Sequence, residues 1–290
     1  MSGAAERLRA SVSSLSHHLS NLEHELGVQL FERRRRGMVP TADGERFIGH
    51  AREILRVSAA AEADMREGGR RVAGQVSVSL TSSATKAIGF ALISQCLGAY
   101  PDLTLALRTG LSSSVIADVV EHRGDLGLAY NADSIAGLRA EPLLEETMVL
   151  VGTAELIGET GDPIPFDAVL DMPLILLTQG LSARALARDR RRLRLLEETA
   201  RLQVDSVETI EACLRAGLGA TVGTALIFPT GASGQGLHSR PIVDPTLDRR
   251  LYLLEPAERP RTHAVEAVRA IAVDLIRRSL RSGRWPAAAI

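Results

Sequence analysis

Cysteine and lysine are both scarce in this chain, and each scarcity excludes something. The only cysteines are Cys96 and Cys213, with no CxxC pair and no His/Cys spacing of metal-ligand type, so neither a disulfide framework nor a metal site is expected. Each sits in an apolar helical pattern (Ile93, Cys96, Leu97 and Ala212, Cys213, Leu214), which reads as a small core residue in a reducing compartment. Lys86 is the only lysine. Nearly all positive charge is therefore guanidinium, which stays protonated and contacts phosphate bidentately. A basic-then-apolar leader and a long uninterrupted apolar run are also missing, so no secretory signal or membrane span is expected and the protein is placed in the cytoplasm. Catalytic signatures are lacking as well. There is no GxSxG, no P-loop and no conspicuous carboxylate pair, and His238 and His263 have no Ser or Cys nucleophile motif near them. No enzymatic activity and no cofactor is expected.

What the chain does have is an ordinary globular composition over 290 residues, 45% hydrophobic and 24% charged, with a net charge of -1. That length accommodates two or more domains. The charge is unevenly placed. Up to Thr41 six arginines face four glutamates, a net of +2, which leaves -3 for the remainder. Four of those six are consecutive, Arg33 to Arg36, and a concentrated patch matters more to phosphate than an average.

The most informative stretch is Ala4 to Arg33. Ala5 and Leu8 lie one helical turn apart, and Leu15, Leu19, Leu22 and Leu26 follow at spacings of four, three and four. That gives one apolar stripe on each of two helices. Ser11 stands between them as an N-cap. Two short helices joined by a tight turn make a helix-turn-helix, whose second helix can enter a DNA major groove. Its outward face is Ser13, Ser16, His17 and Ser20, with His18 alongside and Val12 at the tip. Gly27 closes the helix, Val28 to Phe31 reads as a strand, Arg33 to Gly37 as a turn, and Met38-Val39 as the return strand. The result is a hairpin wing tipped by Arg33, Arg34, Arg35 and Arg36, suited to phosphate or the minor groove.

Thr41 caps a long helix running to about Arg70 or Arg71. Phe47, Ala51, Ile54, Ser58, Ala61 and Met65 are spaced 4, 3, 4, 3, 4 along it, an a/d seam that predicts pairing with a second copy. Gly68 to Gly74 forms a hinge. Beyond it strands and helices alternate: Val76 to Leu80, a helix to Tyr100, Leu103 to Leu107, Val115 to His122, Leu126 to Tyr130, then Met148 to Val151, Leu174 to Leu177, Ser182 to Thr199, Leu202 to Val204, Ser206 to Ala216, Arg250 to Leu254 and His263 to Leu280. Such alternation predicts two α/β lobes built on largely parallel sheets with a cleft between them. Ligands bind at the carboxyl ends of such strands. There stand Thr81, Ser82 and Ser83, then Ser112 and Ser113, then Thr178 and Gln179, candidates to hold a small anion or polar metabolite. No basic residue is expected in the cleft, and Lys86 is assigned to a helix surface.

The first stretch resembles the DNA-binding domain of LysR-type transcriptional regulators. Ala4, Ala5, Leu8, Ser11, Ser16, Leu22, Glu23, Leu26, Gly27, Leu30, Phe31, Arg33, Thr41 and Gly44 fit that family's pattern. Val12-Ser13 replaces its usual Gln-Pro and His17 its frequent Arg, so no base preference carries over. The family has a further helix before the Ala-Ala pair, and the expectation is that it is missing here through a late start, leaving Ala5, Leu8, Leu15 and Leu19 without a packing partner. AYPDLTLAL, GDLGLAY and SVETIEACLRAGLGATV resemble the family's effector-binding domain, which is similar to periplasmic binding proteins. GDLGLAYNADSIAGL and LLEETMVLVG look most like its nitrogen-assimilation-control subgroup. The resemblance implies a winged helix-turn-helix over 1–41, a dimerisation helix over 42–71 and an effector-binding domain over 75–285, its first lobe about 75–145 and 250–285 and its second about 146–249. It also implies effector contacts at Thr81, Ser83 and Thr178, and a dimer or tetramer on promoter DNA. The rival expectations are a small-molecule-binding protein, or a mixed-dimer former that has lost DNA binding of its own.

Overall fold

A computed structural model describes residues 2–34, 37–66, 72–159, 161–177, 190–228 and 236–290. Internal contacts divide the chain into two units, Met1–Glu62 and Ala63–Ile290.

In the first unit α1 (Ser2–Leu8) and α2 (Val12–Leu26) are joined at Arg9, which takes a positive φ of 49°. Ser11 caps α2, its Oγ accepting the Ser14 amide at 3.1 Å. Gly27 ends α2 in the left-handed region at φ 67°, a conformation glycine reaches without strain. The apolar stripe is only partly covered. Ala5 is buried and Leu15, Leu19 and Leu22 are half-buried, but Leu8 is 66% and Leu26 44% exposed, because a seven-residue α1 masks little of a fifteen-residue partner. β1 (Phe31–Arg34) and β2 (Gly37–Pro40) pair antiparallel. The first strand thus begins at Phe31, not Val28, and includes Arg33 and Arg34. The reason is local: the Leu30 and Phe31 amides donate to the Glu23 carboxylate at 2.7 and 3.0 Å, which leaves Val28 to Leu30 outside the ladder. α3 (Ala42–Arg66) follows, with the Thr41 Oγ1 accepting the Gly44 amide at 3.0 Å. Of the hinge expected over Gly68 to Gly74, residues 68–71 lie outside the described residues and Gly74 already opens the next strand.

The second unit runs β3 (Gly74–Thr81), α4 (Ser82–Ala84), a π-helical stretch (Thr85–Gly89), α5 (Phe90–Ala99), β4 (Leu103–Gly110), α6 (Ser112–Val120), β5 (Leu126–Tyr130) and β6 (Leu138–Thr147). It continues with β7 (Val149–Thr153), α7 (Ala154–Ile157), β8 (Ile164–Pro165), α8 (Phe166–Leu170), β9 (Ile175–Leu177), α9 (Arg190–Thr199), β10 (Leu202–Val204), α10 (Val207–Arg215), β11 (Thr221–Gly223) and β12 (Leu237–Val243). β13 (Asp248–Pro256), α11 (His263–Arg281) and β14 (Ala288–Ala289) complete it. The predicted helix from Ser182 is described only from Arg190 onward.

The first lobe is a six-stranded sheet in the order β14-β6-β13-β5-β3-β4. It is mixed, which corrects the expectation of a largely parallel sheet. β3 is parallel to β4 and β5, but β13 is antiparallel to β5 and β6, and β14 to β6. The difference is β6, whose Arg139, Glu141, Pro142, Glu145 and Glu146 hide its alternation. Its register with β13 shifts at Leu251/Tyr252, opposite Pro142, as a residue without an N–H requires. The second lobe holds a four-stranded sheet, β11-β7-β12-β8, and the parallel pair β10-β9. Val78, Leu80, Leu92, Cys96, Leu128, Leu253, Val268 and Trp285 centre the first core, and Leu150, Phe166, Leu174 and Val222 the second. Burial pushes the Cys96 thiol pKa up, as befits a core residue. The chain crosses between the lobes twice, at Met148 and at Leu247. There the Met148 amide donates to the Leu247 carbonyl at 2.7 Å, carrying the β6–β13 ladder to the edge of the sheet.

Candidate functional site

Two groups of candidate residues are each drawn together, one in each unit. On α2, Val12, Ser13, His17, His18 and Ser20 are exposed and Ser16 is half-buried. With helical spacing, the Ser11 cap fixes where this face starts. Ser13 shares a hydrogen bond with Ser11, Oγ to Oγ 2.9 Å, and the Asn21 amide nitrogen lies 3.4 Å from His17 Nε2. The face is polar, short-chained and rimmed by imidazole, able to donate or accept at a base edge. On the wing Arg33 and Arg34 are exposed. Arg34 pairs with Glu32 at 3.3 Å with both side chains more than half exposed, a contact too weak to withhold it from phosphate. Arg35 and Arg36 lie outside the described residues. On α3, Phe47 and Ala51 are half-buried while Ile54 and Ser58 are exposed; the side chains of Ala61 and Met65 lie outside those described. Ile54, Leu55 and Val57 are 66%, 70% and 48% exposed, an apolar surface that a single chain leaves in water.

In the second unit a cavity of about 60 Å³ lies between the lobes. From the first lobe it is lined by Thr81, Ser82, Ser83, Gly110, Leu111, Ser112 and Tyr130. From the second it is lined by Met148, Leu177, Val207, Ile210, Thr221, Val222, Gly223, Thr224, Ile227 and Phe228, and Arg249 completes the wall. The position follows from the topology: β3 ends at Thr81 and the parallel β4 ends at Gly110, so both deliver their carboxyl ends here. Thr81 is 5% exposed and its Oγ1 has no hydrogen-bond partner among the described residues. The Ser112 Oγ accepts the Tyr130 amide at 3.1 Å. Ser113 is exposed and does not line the cavity. Thr178 and Gln179 lie outside the described residues, although their neighbour Leu177 is at the wall.

A basic residue does stand in the cleft, against the sequence expectation. Arg249 pairs in register with Glu146 across β13 and β6. Its Nε and Nη2 reach the Glu146 carboxylate at 2.8 and 2.7 Å. Nη2 also donates to the Ser83 Oγ at 3.0 Å, and the guanidinium lies 3.6 Å from the Tyr130 ring centroid, close enough for a strong cation–π contact. Glu146 is fully buried and its other oxygen accepts the Trp285 indole N–H at 3.1 Å. Burial works against the Arg249 charge, but Tyr130 and Glu146 more than offset it and keep the guanidinium protonated. Burial is also the main reason the Tyr130 pKa rises well above its usual range, leaving a neutral phenol. The sequence signal was the alternation Arg249, Leu251, Leu253, which puts Arg249 on the inward face. A strand bounded at Arg250 leaves that residue out, whereas β13 begins at Asp248. Lys86 is exposed as expected, yet its Nζ donates to the Ile227 carbonyl at 2.9 Å and so bridges the two lobes at the rim. Among the described residues no group of three or more His, Cys, Asp or Glu side chains could hold a metal ion, and no helix is long and apolar enough to cross a membrane. The cleft has donors, hydroxyls and an apolar wall, the equipment of a binding site.

Residues 69–277 match the LysR substrate binding domain, and residues 1–45 the bacterial regulatory helix-turn-helix protein of the lysR family. The chain is 30% identical over 278 residues to the nitrogen assimilation regulatory protein nac of Klebsiella aerogenes, covering 95% of this chain and 90% of that one. Its namesake from Escherichia coli (strain K12) is 28% identical over 276 residues, with 94% and 89% covered. Among solved structures, a full-length OxyR variant from Pseudomonas aeruginosa is similar with a TM-score of 0.68 at 21% identity, over 95% of this chain and 89% of that one. Full-length CbnR complexed with its target DNA gives 0.61 at 19%, over 96% and 93%.

Proposed function

The chain belongs to the LysR family of bacterial helix-turn-helix transcriptional regulators, and from that premise we propose how its own residues divide the work. The exposed α2 face, Val12, Ser13, Ser16, His17, His18 and Ser20, reads base edges in the major groove. Arg33 to Arg36 hold phosphate or the minor groove. α3, through Phe47, Ala51, Ile54, Ser58, Ala61 and Met65, pairs with a second copy, so that two recognition helices meet two half-sites. The cleft at Thr81, Ser82, Ser83 and Ser112, continued by Thr178 and Gln179, holds a small effector whose binding changes the DNA complex. This assigns 1–41 to DNA, 42–71 to pairing and 75–285 to the effector, in a protein of the cytoplasm that regulates and does not catalyse.

One observation carries the DNA-binding reading: an α2 face of small polar side chains and imidazole beside a two-stranded wing whose described arginines are exposed. A salt series on promoter DNA tests it. Replacing Arg33 and Arg34 by Gln should weaken binding to all sequences alike, and flatten the log–log salt dependence by roughly one unit for each phosphate that is no longer neutralised. His17→Ala should instead change base preference and leave the salt slope alone. An unchanged slope in the arginine variant would remove Arg33 and Arg34 from the interface.

A further inference from the structure

We propose that Asn21 is a further base-reading residue of α2, that the base it reads is adenine, and that His17 is the positioning residue that orients its amide. This rests on reading the α2 face as the one that meets base edges, and adds a residue and a base to that reading. Asn21 is exposed. At about 3.6 residues per turn it lies as far round α2 from the stripe of Leu15, Leu19, Leu22 and Leu26 as Ser20 does, and farther than Ser16. It follows His17 by one turn, so the two side chains are neighbours on the outward face. Four residues advance a helix by about 6 Å, close to two base steps of roughly 3.4 Å. A helix lying in the major groove therefore brings the pair to nearby base pairs. The amide has the chemistry for adenine: its oxygen and one N–H match the adenine N6 amino group and N7 together, whereas guanine presents acceptors at both positions. An exposed asparagine ordinarily lacks a fixed orientation, because its amide can turn over and exchange oxygen for nitrogen. Here the Asn21 nitrogen lies 3.4 Å from His17 Nε2. An amide nitrogen only donates, so Nε2 accepts in this contact. The amide carries two hydrogens, so one can serve His17 while the other is left for a base. Among the described residues Asn21 Oδ1 has no hydrogen-bond partner. In water so long a contact holds the amide weakly. Docking in the groove removes the competing water and strengthens it, and the contact then decides which side of the amide meets the base.

The test is the base-pair preference of the full chain on promoter DNA, measured at constant salt by competition with sites that carry each single base-pair change. The unaltered chain should prefer adenine at one or more positions of each half-site, and should bind less tightly when 7-deazaadenine, which lacks N7, stands there. Asn21→Ala should fold, since alanine suits an exposed helix position. It should lower the preference for adenine at one such position by about fivefold to a hundredfold, become indifferent to 7-deazaadenine there, and keep the salt slope. His17→Gln offers an acceptor in place of Nε2 and should keep more of that preference than His17→Ala. Weaker binding of Asn21→Ala to every sequence alike would make Asn21 a phosphate contact and overturn the proposal. So would an Asn21→Ala chain that keeps its adenine preference and its sensitivity to 7-deazaadenine. Identical profiles for His17→Gln and His17→Ala would overturn the part given to His17. An unaltered chain with no base-pair preference at all is a different failure, since it removes the α2 face as the reader and the proposal with it.

Discussion

Glu146→Gln is expected to destabilise the C-terminal unit by about 3–5 kcal/mol, the cost of breaking a buried ion pair from one side. Glu146 is fully buried, and its two oxygens serve Arg249 on one side and the Trp285 indole on the other. The amide keeps the shape and one acceptor but removes the charge, which leaves the Arg249 guanidinium in a site where burial already opposes it. Tyr130 remains beneath the guanidinium, but a cation–π contact supplies only about 2 kcal/mol when desolvated, so it cannot make up the loss. Replacing Arg249 by Met as well removes both charges, and most of the stability should return because a neutral pair no longer carries the desolvation cost. Urea unfolding followed by Trp285 emission measures all three variants. If the single and double substitutions cost the same, the ion pair is not what holds this corner together.

That corner also shows what a sequence reading can and cannot reach. Val76, Val78 and Leu80, or Leu126 and Leu128, announce strands because both faces and alternation are visible within a few residues. The Ser11 cap and the Thr41 cap are equally local. Arg249 and Glu146 are 103 residues apart, and Trp285 and Glu146 139. No window joins them, and each alone reads as a surface charge or an isolated aromatic. β6 was hidden for the opposite reason: its charges are real, but they are paired with β13 and α11. Glu145 meets Arg250, and Glu141 meets Arg269. Thr81, Ser82, Ser83 and Ser112 could be foreseen because strand ends before helices are a sequence pattern. The cation they surround was only half legible: the alternation of Arg249, Leu251 and Leu253 marks an inward face, but only the pairing of β13 with β6 puts that face on this cleft.

Gly44→Ala is expected to destabilise the N-terminal unit by about 2–4 kcal/mol, although alanine in a helix ordinarily stabilises by up to about 1 kcal/mol relative to glycine. The steric effect decides the sign. A Cβ at Gly44 would lie 2.0 Å from the Leu30 carbonyl oxygen and 3.0 Å from its carbon, and backbone cannot swing aside as a side chain can. That carbonyl is fixed: it accepts the Thr41 amide at 2.9 Å, while the Leu30 and Phe31 amides are held by Glu23. Thr41 Oγ1 in turn donates to the Gln29 carbonyl at 2.7 Å and caps Gly44. Glu23, Leu30, Phe31, Thr41 and Gly44 therefore form one junction that seats the wing and α3 against α2. Packing within the unit gives each of these five residues a structural role. Moving α3 away to admit the methyl breaks the Thr41 cap, and the wing arginines lose their fixed distance from the recognition face. DNA affinity should fall for every sequence alike. Gly49→Ala provides the control on the same helix, since nothing lies within 4 Å of its would-be Cβ, and it should raise stability by about 0.5–1 kcal/mol. Thermal unfolding of both variants measures the contrast. A Gly44→Ala protein as stable as Gly49→Ala would show that α3 does not press on Leu30 as described.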